Sequence, residues 1–217
     1  MLRYLIWDVD GTLFDTYPAM FEAFDAALDD LGASVPSDRV SRLCRQSLSH
    51  CATTLATELA LDVDAVLRRF QAHYAAIPAR DQPPFPGVIK VCEYVRATDG
   101  QNFIVTHRGR QSLQRLLVAH EMAGYFADCL TSDDGYPRKP DPASFEEMIQ
   151  RHHLQREMIL AVGDREIDAL AGRAAGVRTC LFGPQTSAAV ADYSIADYAE
   201  LYCLLVAEND RESHLVT

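Results

Sequence analysis

Apolar and polar positions alternate in two different rhythms along this chain. Residues 2–7 carry the apolar run Leu5-Ile6-Trp7 and predict a buried strand. From Pro18 to about Arg80 the rhythm is helical. Met20, Phe21, Phe24, Leu28 and Leu31 mark one stripe, with Pro18 suited to a first helical turn and Gly32 to its end. Ser37 is placed to cap a helix holding Leu43 and Leu48, and Asp62 or Asp64 to cap another with Val66, Leu67, Phe70, Tyr74 and Ile77 on one face. The stiff segment Gln82-Pro83-Pro84-Phe85-Pro86-Gly87 closes this block, and with Asp15-Thr16-Tyr17 it predicts a two-stranded linker.

From Val88 onward helices and short apolar runs alternate. Helices are expected over 88–96, 112–120, 142–152 and 167–174, and strands over 102–106, 129–131, 158–162 and 178–182. Such alternation implies a parallel sheet with helices on both faces, and ligands in such sheets bind at the carboxyl ends of the strands. The expected fold is therefore α/β: a doubly wound, parallel, Rossmann-like sheet from residues 1–16 and 83–217, with an inserted all-helical cap over 17–82. The polar tail from Glu208 to Thr217 is expected to fray.

Composition narrows the functional classes. A chain of 217 residues with 48% hydrophobic content can bury a sizeable core. No apolar run approaches the ~20 residues that cross a bilayer, and Asp8 and Asp10 interrupt any secretory pattern at the start. A cytoplasmic protein without a membrane partner is expected. The net charge of −11 argues against nucleic acid, whose phosphates need a basic surface. Six cysteines include no C-x-x-C pair, which argues against a zinc site, and most sit among apolar neighbours as expected of reduced core thiols.

Candidate chemistry gathers at four predicted strand ends. Asp8 and Asp10 follow the first strand, Thr106 the second, Lys139 the third, and Gly163-Asp164 with Asp168 the fourth. Each has a plain structural alternative: turn residues beside Gly11, an ordinary strand threonine, a solvated lysine, helix-capping aspartates. Their joint position at one sheet edge is more selective than any one of them. Two carboxylates as close as Asp8 and Asp10 repel unless a cation or a shared proton intervenes. Lys139, between Arg138 and Pro140, is one of only two lysines in a chain that otherwise uses arginine, which suggests a role for a compact point charge.

The order Asp8-Val9-Asp10-Gly11-Thr12, Thr106, Lys139-Pro140, Gly163-Asp164 and Asp168 resembles the haloacid dehalogenase superfamily over nearly the whole chain. The helical insertion is similar to that of its phosphoglycolate phosphatase and beta-phosphoglucomutase branch. The resemblance implies a hydrolase acting on a small phosphorylated metabolite. Asp8 would be the nucleophile that becomes an aspartyl-phosphate, and Asp10 the acid and base. Thr106 and Lys139 would meet the phosphoryl group. Mg2+ would be held by Asp8, the Asp10 carbonyl, Asp164 and Asp168. Thr12, His107 and Arg45 are candidate substrate contacts; at His107, Asn or Gly is frequent in relatives. A carboxylate at Asp10 favours phosphoryl transfer over carbon–halogen hydrolysis, because an alkoxide needs a proton and a halide does not. No lysine lies within residues 1–89, which excludes the Schiff-base chemistry of phosphonate-cleaving relatives. A sugar phosphomutase is the nearest alternative, and a catalytically silent binding protein is another.

Overall fold

The computed structural model of the protein describes residues 1–183 and 190–213. The chain divides into two compact units, Met1–Phe14 with Pro84–Thr217, and Asp15–Pro83.

The first unit is built on a six-stranded sheet in the order β3-β2-β1-β4-β5-β6, with every pairing parallel. The strands are β1 (Tyr4–Trp7), β2 (Gln101–Val105), β3 (Phe126–Leu130), β4 (Ile159–Gly163), β5 (Arg178–Phe182) and β6 (Tyr193–Ile195). Parallel strands require crossovers. Within this unit these run through α5 (Val88–Ala97), α6 (Arg110–Ala119), α7 (Ala143–Arg151) and α8 (Glu166–Ala174), and α9 (Tyr198–Ser213) closes the unit.

Alternation along the strands sets two buried faces. Ile6, Phe103, Val105, Leu130 and Ala161 pack with Phe145, Met148 and Ile149 of α7 and Ala171 of α8. Leu5 and Trp7 point the other way and are fully buried. The Trp7 indole donates to Asn102 Oδ1 at 3.0 Å, and its ring lies 5.9 Å from that of Tyr198 on α9. Strand order reverses at β1: β2 and β3 lie to one side, β4 to β6 to the other. The carboxyl ends of β1 and β4 flank this switch point, the usual crevice of such sheets. Register keeps the neighbouring ends level, with Trp7 opposite Ile104 and Val162.

The second unit is four helices: α1 (Tyr17–Asp29), α2 (Ser37–Gln46), α3 (Leu48–Leu59) and α4 (Val63–Ala76). Its core joins Met20, Phe24 and Leu28 to Val40, Leu55, Val66 and Phe70, with the Phe24 and Phe70 rings stacked at 4.2 Å. Pro18 lies in the first turn of α1, and Gly32 follows its end at φ 71°. Asp62 caps α4 by accepting from Ala65 N at 2.6 Å.

Three sequence expectations need correction. Ser37 does not cap α2: it is the first helical residue after Pro36, and its hydroxyl donates to Asp25 at 3.2 Å. Leu48 begins α3, which Ser47 caps by accepting from His50 N. The polar stretch from Glu208 is helical as far as Ser213, because Asn209 is buried and accepts from Leu2 N at 2.9 Å. The remainder of that stretch lies outside the described residues. Strand β6 and helix α9 had no counterpart in the expected elements.

Candidate active site

The first candidate side chain enters the edge directly from the sheet. Asp8 follows β1 and prolongs the ladder by donating its N–H to Val162 O at 2.9 Å. The backbone then turns, with Gly11 at φ 75° and Gly11 N bonded to Phe14 O at 3.0 Å. Beyond the strand end Asp8 and Asp10 take separate partners, Lys139 and Arg108.

Asp8 meets Lys139. The ammonium lies 2.7 Å from Asp8 Oδ1 and 2.6 Å from Asp168 Oδ1, and donates to Val105 O at 3.1 Å. The side chains of Lys139, Asp8 and Asp168 are no more than 4% exposed. Asp168 sits under Gly163 at the start of α8, where it also accepts from Arg165 N at 3.1 Å. The helix cap and the ion pair with Lys139 thus use the same carboxylate. A Cβ on Gly163 would fall 2.3 Å from Asp168 Cβ, so glycine is what admits the aspartate here. Oxygens of Asp8, Asp164 and Asp168 all lie within 4.8 Å of one another.

The electrostatics of the cluster are unbalanced. Burial pushes Asp8 up to about 6, against the pull of Lys139, and the charges of Asp168 and Asp10 add to the rise. Burial also works to raise Asp168, but Lys139 and Arg165 outweigh it and hold that carboxyl below its ordinary range. Burial opposes the Lys139 charge, yet Asp168 and Asp8 outweigh it and hold the ammonium above its ordinary value. Asp8 Oδ2 is buried without a hydrogen-bond partner. An orphaned carboxylate oxygen within an all-oxygen donor set fits a hard divalent cation such as Mg2+.

Thr106 follows β2, is 4% exposed, and accepts from Arg108 N at 3.1 Å through its hydroxyl oxygen. His107 Nε2 accepts from Lys139 N at 2.8 Å. That bond requires an unprotonated nitrogen. Burial, with the nearby charges of Lys139, Arg138 and Arg165, pushes the imidazole down to about 3. Thr12 is completely buried, and its hydroxyl points to Asp164 Oδ1 at 3.4 Å. The structure therefore brings Asp8, Thr12, Thr106, His107, Lys139, Asp164 and Asp168 to the carboxyl edge of one sheet. Arg45 belongs to the helical unit, where its guanidinium lies 4.7 Å over the Tyr17 ring.

Sequence reasoning missed Arg108. Its side chain is 4% exposed and grips both oxygens of Asp10 through Nε, at 3.1 and 3.3 Å, with Nη2 also on Oδ1. Nη1 donates to Ser112 Oγ at 2.6 Å. The only available signal was its place two residues beyond Thr106.

The chain belongs to the haloacid dehalogenase-like hydrolase family, whose description matches residues 5–182. It is 31% identical over 183 residues to a phosphoglycolate phosphatase of Nitrosospira multiformis, covering 81% of this chain and 80% of that one. Among solved structures it is similar to a hydrolase from Streptococcus pneumoniae TIGR4, at 31% identity with a TM-score of 0.63, covering 84% of this chain and 93% of that one. It also shares its fold with a predicted phosphoglycolate phosphatase from Haemophilus somnus 129PT, with a TM-score of 0.84 at 20% identity, over 94% of this chain and 98% of that one. Among the described residues no helix is long and apolar enough to cross a membrane.

Proposed function

We propose that the protein is a magnesium-dependent phosphatase that hydrolyses a small phosphomonoester through an aspartyl-phosphate on Asp8. The observation that carries this reading is the Lys139 ammonium set between Asp8 and Asp168 inside a three-carboxylate cluster. Mg2+ held by Asp8, Asp164 and the Asp10 carbonyl, with Asp168 directly or through water, would screen the phosphate dianion from these carboxylates and polarise it.

Asp8 attacks phosphorus through a carboxylate oxygen. A P–O bond to Asp8 forms as the bond to the leaving oxygen breaks, and Asp10 gives that oxygen a proton. Water then attacks phosphorus, passing a proton to Asp10. The bond between Asp8 and phosphorus breaks, and inorganic phosphate is released. Lys139 offsets charge on the transferred group. The Thr106 oxygen accepts from Arg108 N, which leaves its own proton for a phosphoryl oxygen. Thr12, whose hydroxyl points to Asp164 Oδ1, is the proposed contact at the phosphate end of the substrate. His107 has Nε2 engaged with Lys139 N, so any contact its ring makes with substrate comes from Nδ1–H. Arg45, steadied over Tyr17, is the proposed contact for the part of the substrate beyond phosphate.

The test is phosphate release from a panel of phosphorylated metabolites with Mg2+. Phosphoglycolate heads the panel, since the Nitrosospira relative is named for it. At least one phosphomonoester should turn over without any sugar bisphosphate; a bisphosphate requirement would mark a mutase instead. Asp8→Asn should reduce turnover to background with an unchanged circular dichroism spectrum. Retained activity in that variant removes Asp8 as the nucleophile.

A further inference from the structure

We infer that Arg108 is a positioning residue for Asp10, and that through it the enzyme handles esters whose leaving oxygen must be protonated. The inference rests on the phosphatase reading above. Arg108 connects three parts of the site. Its guanidinium takes the Asp10 carboxylate through Nε and Nη2, its Nη1 is anchored on Ser112 Oγ at 2.6 Å, and its backbone N–H donates to Thr106 Oγ1 at 3.1 Å. The anchor is well defined: Ser112 lies in α6, four residues on from Arg108, and the guanidinium is almost completely buried.

Nε and Nη2 converge on Oδ1 of Asp10, which removes the free rotation that an aspartate at a turn otherwise has and leaves Oδ2, at 3.3 Å from Nε, to carry the transferred proton. Asp10 needs that restraint. It is outside the carboxylate cluster that holds Asp8, and its side chain is 20% exposed. Proton transfer to a leaving oxygen demands a donor in hydrogen-bond reach, and displacement by about 1 Å costs on the order of 100-fold. The attack on phosphorus by Asp8 uses none of the side-chain contacts of Arg108, and a side-chain substitution keeps the backbone N–H that Thr106 accepts from. Arg108 therefore bears on the step that depends on leaving-group basicity and leaves the nucleophile alone.

First-turnover kinetics with Mg2+ on the full chain separate the two. For the best alkyl phosphate of the panel, Arg108→Gln should slow first-turnover alcohol release about 100-fold. For p-nitrophenyl phosphate, whose phenolate departs without a proton, first-turnover release should change by less than about threefold. Arg108→Lys should recover part of the alkyl rate, and Ser112→Ala should lose a smaller part of it with the same selectivity. Adding Arg108→Gln to Asp10→Asn should slow the alkyl ester no further. Equal slowing of both esters, no slowing of either, or additive losses in the double variant would overturn the assignment. A wild-type chain that releases phosphate from no ester would instead overturn the phosphatase reading.

Discussion

One ammonium lies between two of the three carboxylates gathered at the sheet edge. Lys139 reaches Asp8 and Asp168, and Arg165 lies 4.0 Å from Asp164, so two cations face three carboxylates, and Asp8 Oδ2 is buried without a hydrogen bond. The scarcity of lysine made Lys139 legible in the sequence; its other lysine, Lys90, lies over the Tyr202 ring. Arg108 was not legible, because one arginine among many reads as a solvated charge until its partner, 98 residues away, is known. His107 was singled out for an unusual identity, and the structure shows its ring supporting the Lys139 loop. That support has a pH signature. Burial, then the charges of Lys139, Arg138 and Arg165, lower the folded imidazole from 6.5 to about 3, with Asp168 pulling the other way. Between those values the unfolded chain takes a proton that the folded chain refuses. The contribution of His107 is therefore complete above about pH 6.5 and is lost as pH falls toward 3. Melting temperature should fall more steeply from pH 7 to 4 in the wild type than in His107→Asn; parallel slopes would contradict the neutral, bonded ring.

At the scale of elements, the start of α8 shows how a local signal and a site residue coincide. Asp164 and Asp168 read as capping residues, and Asp168 does bond Arg165 N, yet its other oxygen meets Lys139. The close approach that permits this is set by Gly163 at the end of β4. Gly163→Ala places a methyl against Asp168 Cβ, which is too near the backbone to swing away. We expect destabilisation of about 1–3 kcal/mol by chemical denaturation, together with weaker Mg2+ binding. Unchanged stability would show that α8 shifts at little cost. Helices and strands with strong periodicity were legible from the sequence to within a few residues. Elements that depended on distant partners were not. Strand β6 is three residues long, and α9 mixes polar residues along a face whose burial depends on contacts such as Asn209 with Leu2.

Taken as a whole, the molecule places its acidic cluster at the topological switch point between β1 and β4. A divalent cation bound only by the folded chain stabilises it by mass action. Mg2+ at a hundredfold excess over its dissociation constant should add about 2.7 kcal/mol, raising the melting temperature by roughly 5–10 °C. A chelator should abolish the shift, and Asp164→Asn should blunt it; a shift that survives in Asp164→Asn would move the cation elsewhere. Periodicity was enough to determine the α/β class, because burial patterns are local, and the order of a few polar residues was enough to single out the candidate carboxylates, because turn chemistry is local too. Partner choice was decided by folding alone: Asp10 with Arg108, Thr12 with Asp164, His107 with the Lys139 backbone. Those contacts join residues that only parallel strand pairing carries to the same edge, and no local rule measures that distance.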